Sequence, residues 1–164
     1  MVRIVFVGLA LAASLAACGG SAPSSTAQAA LEHQADMYAI DQIEVRWHKA
    51  ASTHDIDLMM SLWADNATFN IGAQTLSGKD QIRNFFLTKA APFKPGNHWV
   101  SETPAYKIQT TVNGNKGTLY FECHYVDPAT RKVMAVVAAN QEVARISGTW
   151  LITSSISASP ELGA

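Results

Sequence analysis

Cysteine is nearly absent from this 164-residue chain, which has only Cys18 and Cys123. With one of the two close to the N-terminus, there is no framework of internal disulfides to hold the fold. Charge is scarce too: Asp, Glu, Lys and Arg make up 15% of residues and the formal net charge is −1. No basic run occurs, and no Lys/Arg stripe is interleaved with aromatics, so nucleic acid is not an expected partner. The five histidines (33, 48, 54, 98 and 124) form no His-x-His or His-x-x-x-His pair, and no metal site is expected. Glycine-rich phosphate loops and dinucleotide fingerprints are missing, so no cofactor is expected either. Beyond the N-terminal stretch, no apolar run is long enough to cross a membrane.

That N-terminal stretch is informative. Arg3 supplies one positive charge, and Ile4 to Ala13 is apolar but too short to span a bilayer. Leu15-Ala16-Ala17-Cys18 follows, then Gly19-Gly20-Ser21. This pattern resembles the lipobox of bacterial lipoproteins, which implies cleavage before Cys18 and lipidation of that cysteine. The expected organisation is a signal peptide over 1–17, a lipidated cysteine and small polar tether over 18–27, a folded domain over 28–158 and a tail over 159–164. The expected location is the bacterial cell envelope, outside the cytoplasm and bound to a membrane through the lipid. Removing 17 of the 164 residues leaves 147, enough for one domain with a real core. Cys123 then stands alone in an apolar strand-like run, as a small buried hydrophobe rather than a nucleophile.

Met37, Ile40, Ile43, Trp47, Ala50 and Ala51 recur at helical spacing, with Asp41, Glu44 and His48 on the other face. This predicts a helix from about Gln28 to Thr53. Asp55 is placed to cap a second, short helix whose apolar side is Leu58, Met59, Leu62 and Trp63. A strand is expected over 67–71. Ser77-Gly78-Lys79-Asp80 opens a third helix like a capping box, Ile82, Phe85, Phe86 and Ala90 form its stripe, and Pro92 stops it. From His98 the period changes to two. Strands are expected at about 98–112, 117–126, 133–146 and 149–157, with turns at Asn113-Gly114, Asp127-Pro128 and Ser147-Gly148. Pro104 implies a bulge or a sheet edge. Helices first and antiparallel strands after make an α+β fold, with helices on one face of a curved sheet.

The stretch from Ala51 to Phe69, with Asp55, Trp63 and Ala64-Asp65-Asn66-Ala67, resembles the SnoaL-like group of the nuclear-transport-factor-2-like superfamily. Gly78 with Ile82 and Phe85-Phe86 matches the next landmark, and Ser147-Gly148-Thr149-Trp150 matches the last strand. The resemblance runs from about residue 30 to 157. It implies a cone-shaped α+β barrel, a curved mixed or antiparallel sheet wrapped around the N-terminal helices, with a deep pocket. The residues themselves agree, because Trp47, Trp63, Phe69, Phe85 and Phe86 come from different elements and can converge on one apolar cavity. Plain core packing is the alternative for most of them, and Trp47 is the best placed to reach a cavity. Such a cavity suits a small, largely apolar ligand.

The resemblance also offers catalytic positions. Ketosteroid isomerases of this superfamily carry a tyrosine where Trp47 stands and an aspartate base where Ile71 stands. Isoleucine takes no proton, so that chemistry is not expected. Dehydratase-like and dehydrochlorinase-like members use an Asp–His pair. His98 looks like that histidine, while the aspartate position falls on Ser52, with Asp55 three residues later. His98 is the candidate base and Asp55 its candidate partner, although Asp55 also has a capping role.

Two further features concern binding. Tyr120, Glu122 and His124 alternate with apolar residues and share one side of a strand. Facing inward, Glu122 and His124 could act as an acid–base pair and Tyr120 and Glu122 would meet a ligand. Facing outward, they form a solvated face or a dimer contact. Asn140 sits in the apolar run Val136 to Val143 and must find hydrogen-bond partners, a ligand among them. Two functions are therefore expected. The first is a membrane-anchored pocket for a small apolar molecule, with room for a cofactor-independent lyase or isomerase activity. The second is a non-catalytic envelope module for protein interaction or homodimerisation.

Overall fold

A computed structural model describes residues 24–158. The signal-peptide and Cys18 readings, most of the tether and the tail lie outside these residues. No helix among the described residues is long and apolar enough to cross a membrane.

Helix α1 spans Ser25–Thr53. It starts three residues before the expected Gln28, because the Ser24 hydroxyl accepts from the Ala27 N–H at 3.2 Å and the Ala-rich segment that follows favours a helix. Residues 25–27 therefore belong to the helix rather than to the tether. His54, in the left-handed region, ends α1 by donating its N–H to the carbonyls of Ala50 and Ala51. Helix α2 (Ile56–Met60) is capped by Asp55, whose carboxylate accepts from Leu58 N–H at 2.8 Å. It is shorter than expected, and Trp63 opens strand β1 (Trp63–Ile71) instead of closing the helix. A hairpin partner not expected from the sequence, β2 (Gln74–Ser77), follows across Gly72 at φ 57°. Helix α3 (Lys79–Thr88) begins at Gly78, at φ 81°. No side chain caps it from Gly78, and the expected Ser77–Asp80 box does not form; Gln81 instead accepts from Ser77 N–H at 3.1 Å.

The remaining strands are β3 (Val100–Ser101), β4 (Lys107–Asn113), β5 (Lys116–Asp127), β6 (Lys132–Ile146) and β7 (Thr149–Ala158). The long strand expected over 98–112 is two pieces, broken around Pro104. Both pieces pair with β5 on the side away from β6, so they form a sheet edge, where proline is tolerated. The sheet order is β2-β1-β7-β6-β5, with β3 and β4 on the far edge. β1 and β7 run parallel and every other pair antiparallel, which makes the sheet mixed. Register shifts in the β1–β7, β5–β6 and β6–β7 ladders mark bulges that bend it.

The concave face packs on α1. Ile40, Ile43, Trp47, Ala50 and Ala51 are buried there against Leu119, Phe121, Ala139 and Val143. Glu44 and His48 do not form an opposite face: at i, i+4 spacing from Ile40 they share the buried side of α1, and both are fully buried, while Arg46 and Lys49 are exposed. The edge segment around β3 folds over that side and ties to it. Ala105 N–H donates to Glu44 Oε1 at 2.7 Å, and Ser101 N–H donates to Ser52 Oγ at 2.8 Å.

Candidate functional site

A cavity of about 240 Å³ opens between α1, α3 and the concave face of the sheet. Each element contributes by its own periodicity. α1 sends in Trp47, β1 sends Phe69 and Ile71, and α3 sends Phe85 and Phe86. The connection after α3 adds Phe93 and Trp99, and the sheet adds Tyr125, Ala135, Val137 and Ser157. The aromatic rings brace one another. Trp47 meets Phe86 edge-on at 5.5 Å, Phe69 stacks on Phe86 at 5.8 Å, and Phe93 meets Phe86 at 5.4 Å. Such contacts hold the walls in place before any ligand arrives. A wider depression of about 500 Å³ lies around the β4–β5 turn, but no aromatic ring lines it and it is open to solvent.

The cavity's side-chain polarity is one-sided. Among the described residues, its only charged side chain is Lys89 at the mouth, and no carboxylate lines it. Inside, burial pushes the Tyr125 phenol far above its usual range, outweighing the Trp47 indole and Ser101 hydroxyl beside it, so it stays a neutral O–H. Ser157 Oγ reaches the Ala138 carbonyl at 3.4 Å.

Several residues expected at the site stand where the sequence placed them. Trp47, Phe69 and Phe86 line the cavity, as does Ile71. Trp63 does not. It is fully buried behind Trp47, at 5.8 Å between ring centroids, and belongs to the core.

His98 is a correction. It is exposed and does not line the cavity, because its neighbour Trp99 does, and successive residues of an extended chain point to opposite sides. Asp55 is exposed and occupied as the α2 cap. Ser52, at the aspartate position of the dehydratase-like pair, is bonded to the Ser101 backbone. No Asp–His pair forms from these residues.

Tyr120 and Glu122 are also corrections. Leu119, Phe121, Cys123 and Tyr125 take the buried side of β5, so Tyr120, Glu122 and His124 face outward on the convex sheet. There Glu122 accepts from Tyr106 Oη and Lys107 Nζ, both at 2.7 Å, and from Tyr120 Oη. These donors hold its carboxyl down at about 2, while the bond to Glu122 raises the Tyr106 phenol to about 12. His124 Nδ1 lies 2.6 Å from Glu102 Oε2, and its ring stacks on Tyr106 at 4.5 Å. This is a surface network without a cavity.

Asn140 is exposed on the same convex face, opposite Tyr120 and Ile156 in register. Its neighbour Gln141 is the amide that points inward, fully buried, with neither amide atom partnered among the described residues. Cys123 is buried, and burial pushes its thiol to about 12, as suits a packing residue. The sequence reading missed Phe93, Trp99, Tyr125, Ser157 and Lys89. Their common signal was weak: single residues on strands or connections whose inward side only the fold defines.

Residues 32–156 match the family model of the SnoaL-like domain. No curated protein is significantly similar in sequence. Solved structures share the fold. An NTF2-like protein of unknown function from Pseudomonas putida is 16% identical, with a TM-score of 0.66 over 77% of this chain and 88% of that one. An NTF2-like protein with a cystatin-like fold from Novosphingobium aromaticivorans is 17% identical, with a TM-score of 0.66 over 86% and 93%. A hexachlorocyclohexane dehydrochlorinase from Novosphingobium barchaimii is 15% identical, with a TM-score of 0.63 over 80% and 90%.

Proposed function

The chain belongs to the SnoaL-like domain family, and from that premise we propose that it binds a small, largely apolar molecule in the aromatic cavity without transforming it. One observation carries this reading. Trp47 and Ile71, at the positions where ketosteroid isomerases carry a tyrosine and an aspartate, both face the cavity. The concavity is kept while the proton acceptor is replaced by a side chain that cannot act as a base. His98, the remaining candidate base, is outside. Rings on several walls favour an aromatic or compact aliphatic guest. A dry apolar cavity of about 150 Å³ accommodates benzene, so 240 Å³ suits one ring with a short substituent.

We further propose that the domain works outside the cytoplasm, tethered through Cys18. The residues from Gly19 to Ser24 reach at most about 22 Å when fully extended, which would hold α1 near the membrane surface. A small, largely apolar guest met at a membrane surface suits that placement.

The test is a titration with toluene, followed by the fluorescence of the cavity tryptophans. Saturable quenching is expected in the native chain and in His98→Ala. Ala135→Phe, which fills the cavity from β6, is expected to abolish it. Absence of saturable binding in the native chain, or binding unchanged by Ala135→Phe, would overturn the assignment.

A further inference from the structure

We propose that the molecule held in the cavity is an anion, a monocyclic or similarly compact carboxylate whose apolar body sits among the rings and whose head group meets Lys89. This deepens the binding reading above and rests on it.

The argument is one of donors and acceptors. Five side chains with polar atoms line the cavity: Trp47, Lys89, Trp99, Tyr125 and Ser157. An indole nitrogen only donates, and so does an ammonium. Tyr125 stays protonated and has a hydrogen to offer. Ser157 donates its hydrogen to the Ala138 carbonyl, which leaves its oxygen as an acceptor. Among the described residues no Asp, Glu, Asn or Gln side chain lines the walls. The Tyr125 and Ser157 oxygens can accept a hydrogen bond, but a cationic guest such as an amine would meet no carboxylate among the described residues and would face the Lys89 ammonium. A guest whose polar end accepts finds donors, and at Lys89 it finds a charge.

Lys89 is free to serve. The ion pairs among the described residues engage Lys79, Arg83, Lys107 and Arg145, with His48 and His124, but not Lys89. It follows α3 directly, so the negative end of that helix accounts for a cation there. The helix end takes only part of that charge and leaves the long side chain able to swing over the opening. Lys94 lies nearby in sequence, is exposed and does not line the cavity, which makes it a built-in control.

The experiment compares 3-phenylpropanoate with 3-phenylpropanamide, which share a body and differ in charge. Binding to the native chain is read by tryptophan fluorescence at constant ionic strength. The carboxylate is expected to bind about fivefold more tightly, the upper range for an ion pair that water still reaches. Lys89→Met, which keeps the apolar stem, should reduce the preference to about one, and Lys89→Glu should invert it. Lys94→Met should leave it intact. Equal binding of both probes by the native chain, or a preference that survives Lys89→Met, overturns the anion assignment while leaving the apolar cavity standing. Binding of neither probe, together with no binding of toluene, overturns the cavity reading itself.

Discussion

Glu44 and His48 stand one turn apart on α1, both fully buried, with Oε1 and Nδ1 2.6 Å apart. Glu44 Oε2 and both His48 ring nitrogens make no hydrogen bond among the described residues. A buried pair of this kind contributes little net stability when intact, yet removing one member strands the other in a low-dielectric core. Glu44→Ala is therefore expected to cost about 3–5 kcal/mol, measured by urea denaturation. The double replacement Glu44→Leu with His48→Leu is expected to recover only part of that loss, because the buried Ala105 N–H that donates to Glu44 stays unpaired. A Glu44→Ala variant within about 1 kcal/mol of the native chain would show that the pair is not desolvated as its burial implies. Helical phase accounts for this burial, since Glu44 falls four residues after Ile40 and His48 three before Ala51, so both share the buried side although their polarity alone suggests an outer face. The Asn140 and Gln141 pair repeats the lesson on a strand. Both are amides in one apolar run, and a shift of one residue decides which of them meets water.

At the scale of elements, the patterns that repeat were legible and the breaks between them were less so. The three helices and the β5–β6–β7 meander follow their hydrophobic periods. The β1–β2 hairpin escaped notice because β2 is four residues long and mostly exposed, leaving no alternation to read. Gly117 on β5 shows how closely the elements approach. A Cβ built there would lie 2.5 Å from the Thr111 carbonyl oxygen and 2.9 Å from Ile40 Cδ1. The first contact is with backbone in the paired strand β4 and cannot be relieved by a rotamer change. Gly117→Ala is expected to destabilise the fold by about 1–3 kcal/mol, seen as a lower denaturation midpoint with an unchanged m-value. Unaltered stability would mean that β4 and α1 can move away from β5 at no cost.

At the scale of the whole molecule, the proposed location and the proposed ligand meet at one question: whether the domain is anchored. If Cys18 is lipidated, mass spectrometry of the protein from bacterial membranes will show an N-terminal peptide that begins at Cys18 and carries acyl chains, and Cys18→Ser will release the domain from the membrane fraction. An intact, unmodified N-terminus would remove the anchor and with it the reason to favour a guest met at the membrane surface. The fold class was determined by the sequence alone, because amphipathic periods, turn residues and the order of helices and strands are local properties that survive without any knowledge of partners. The aromatic content of a cavity was legible for the same reason. The membership of that cavity was decided only by the tertiary structure. Trp99 turns in and His98 out, Tyr125 turns in and Glu122 out, and Trp63 retreats into the core. A side chain's direction on a strand or connection is set by register and curvature, which depend on residues far along the chain.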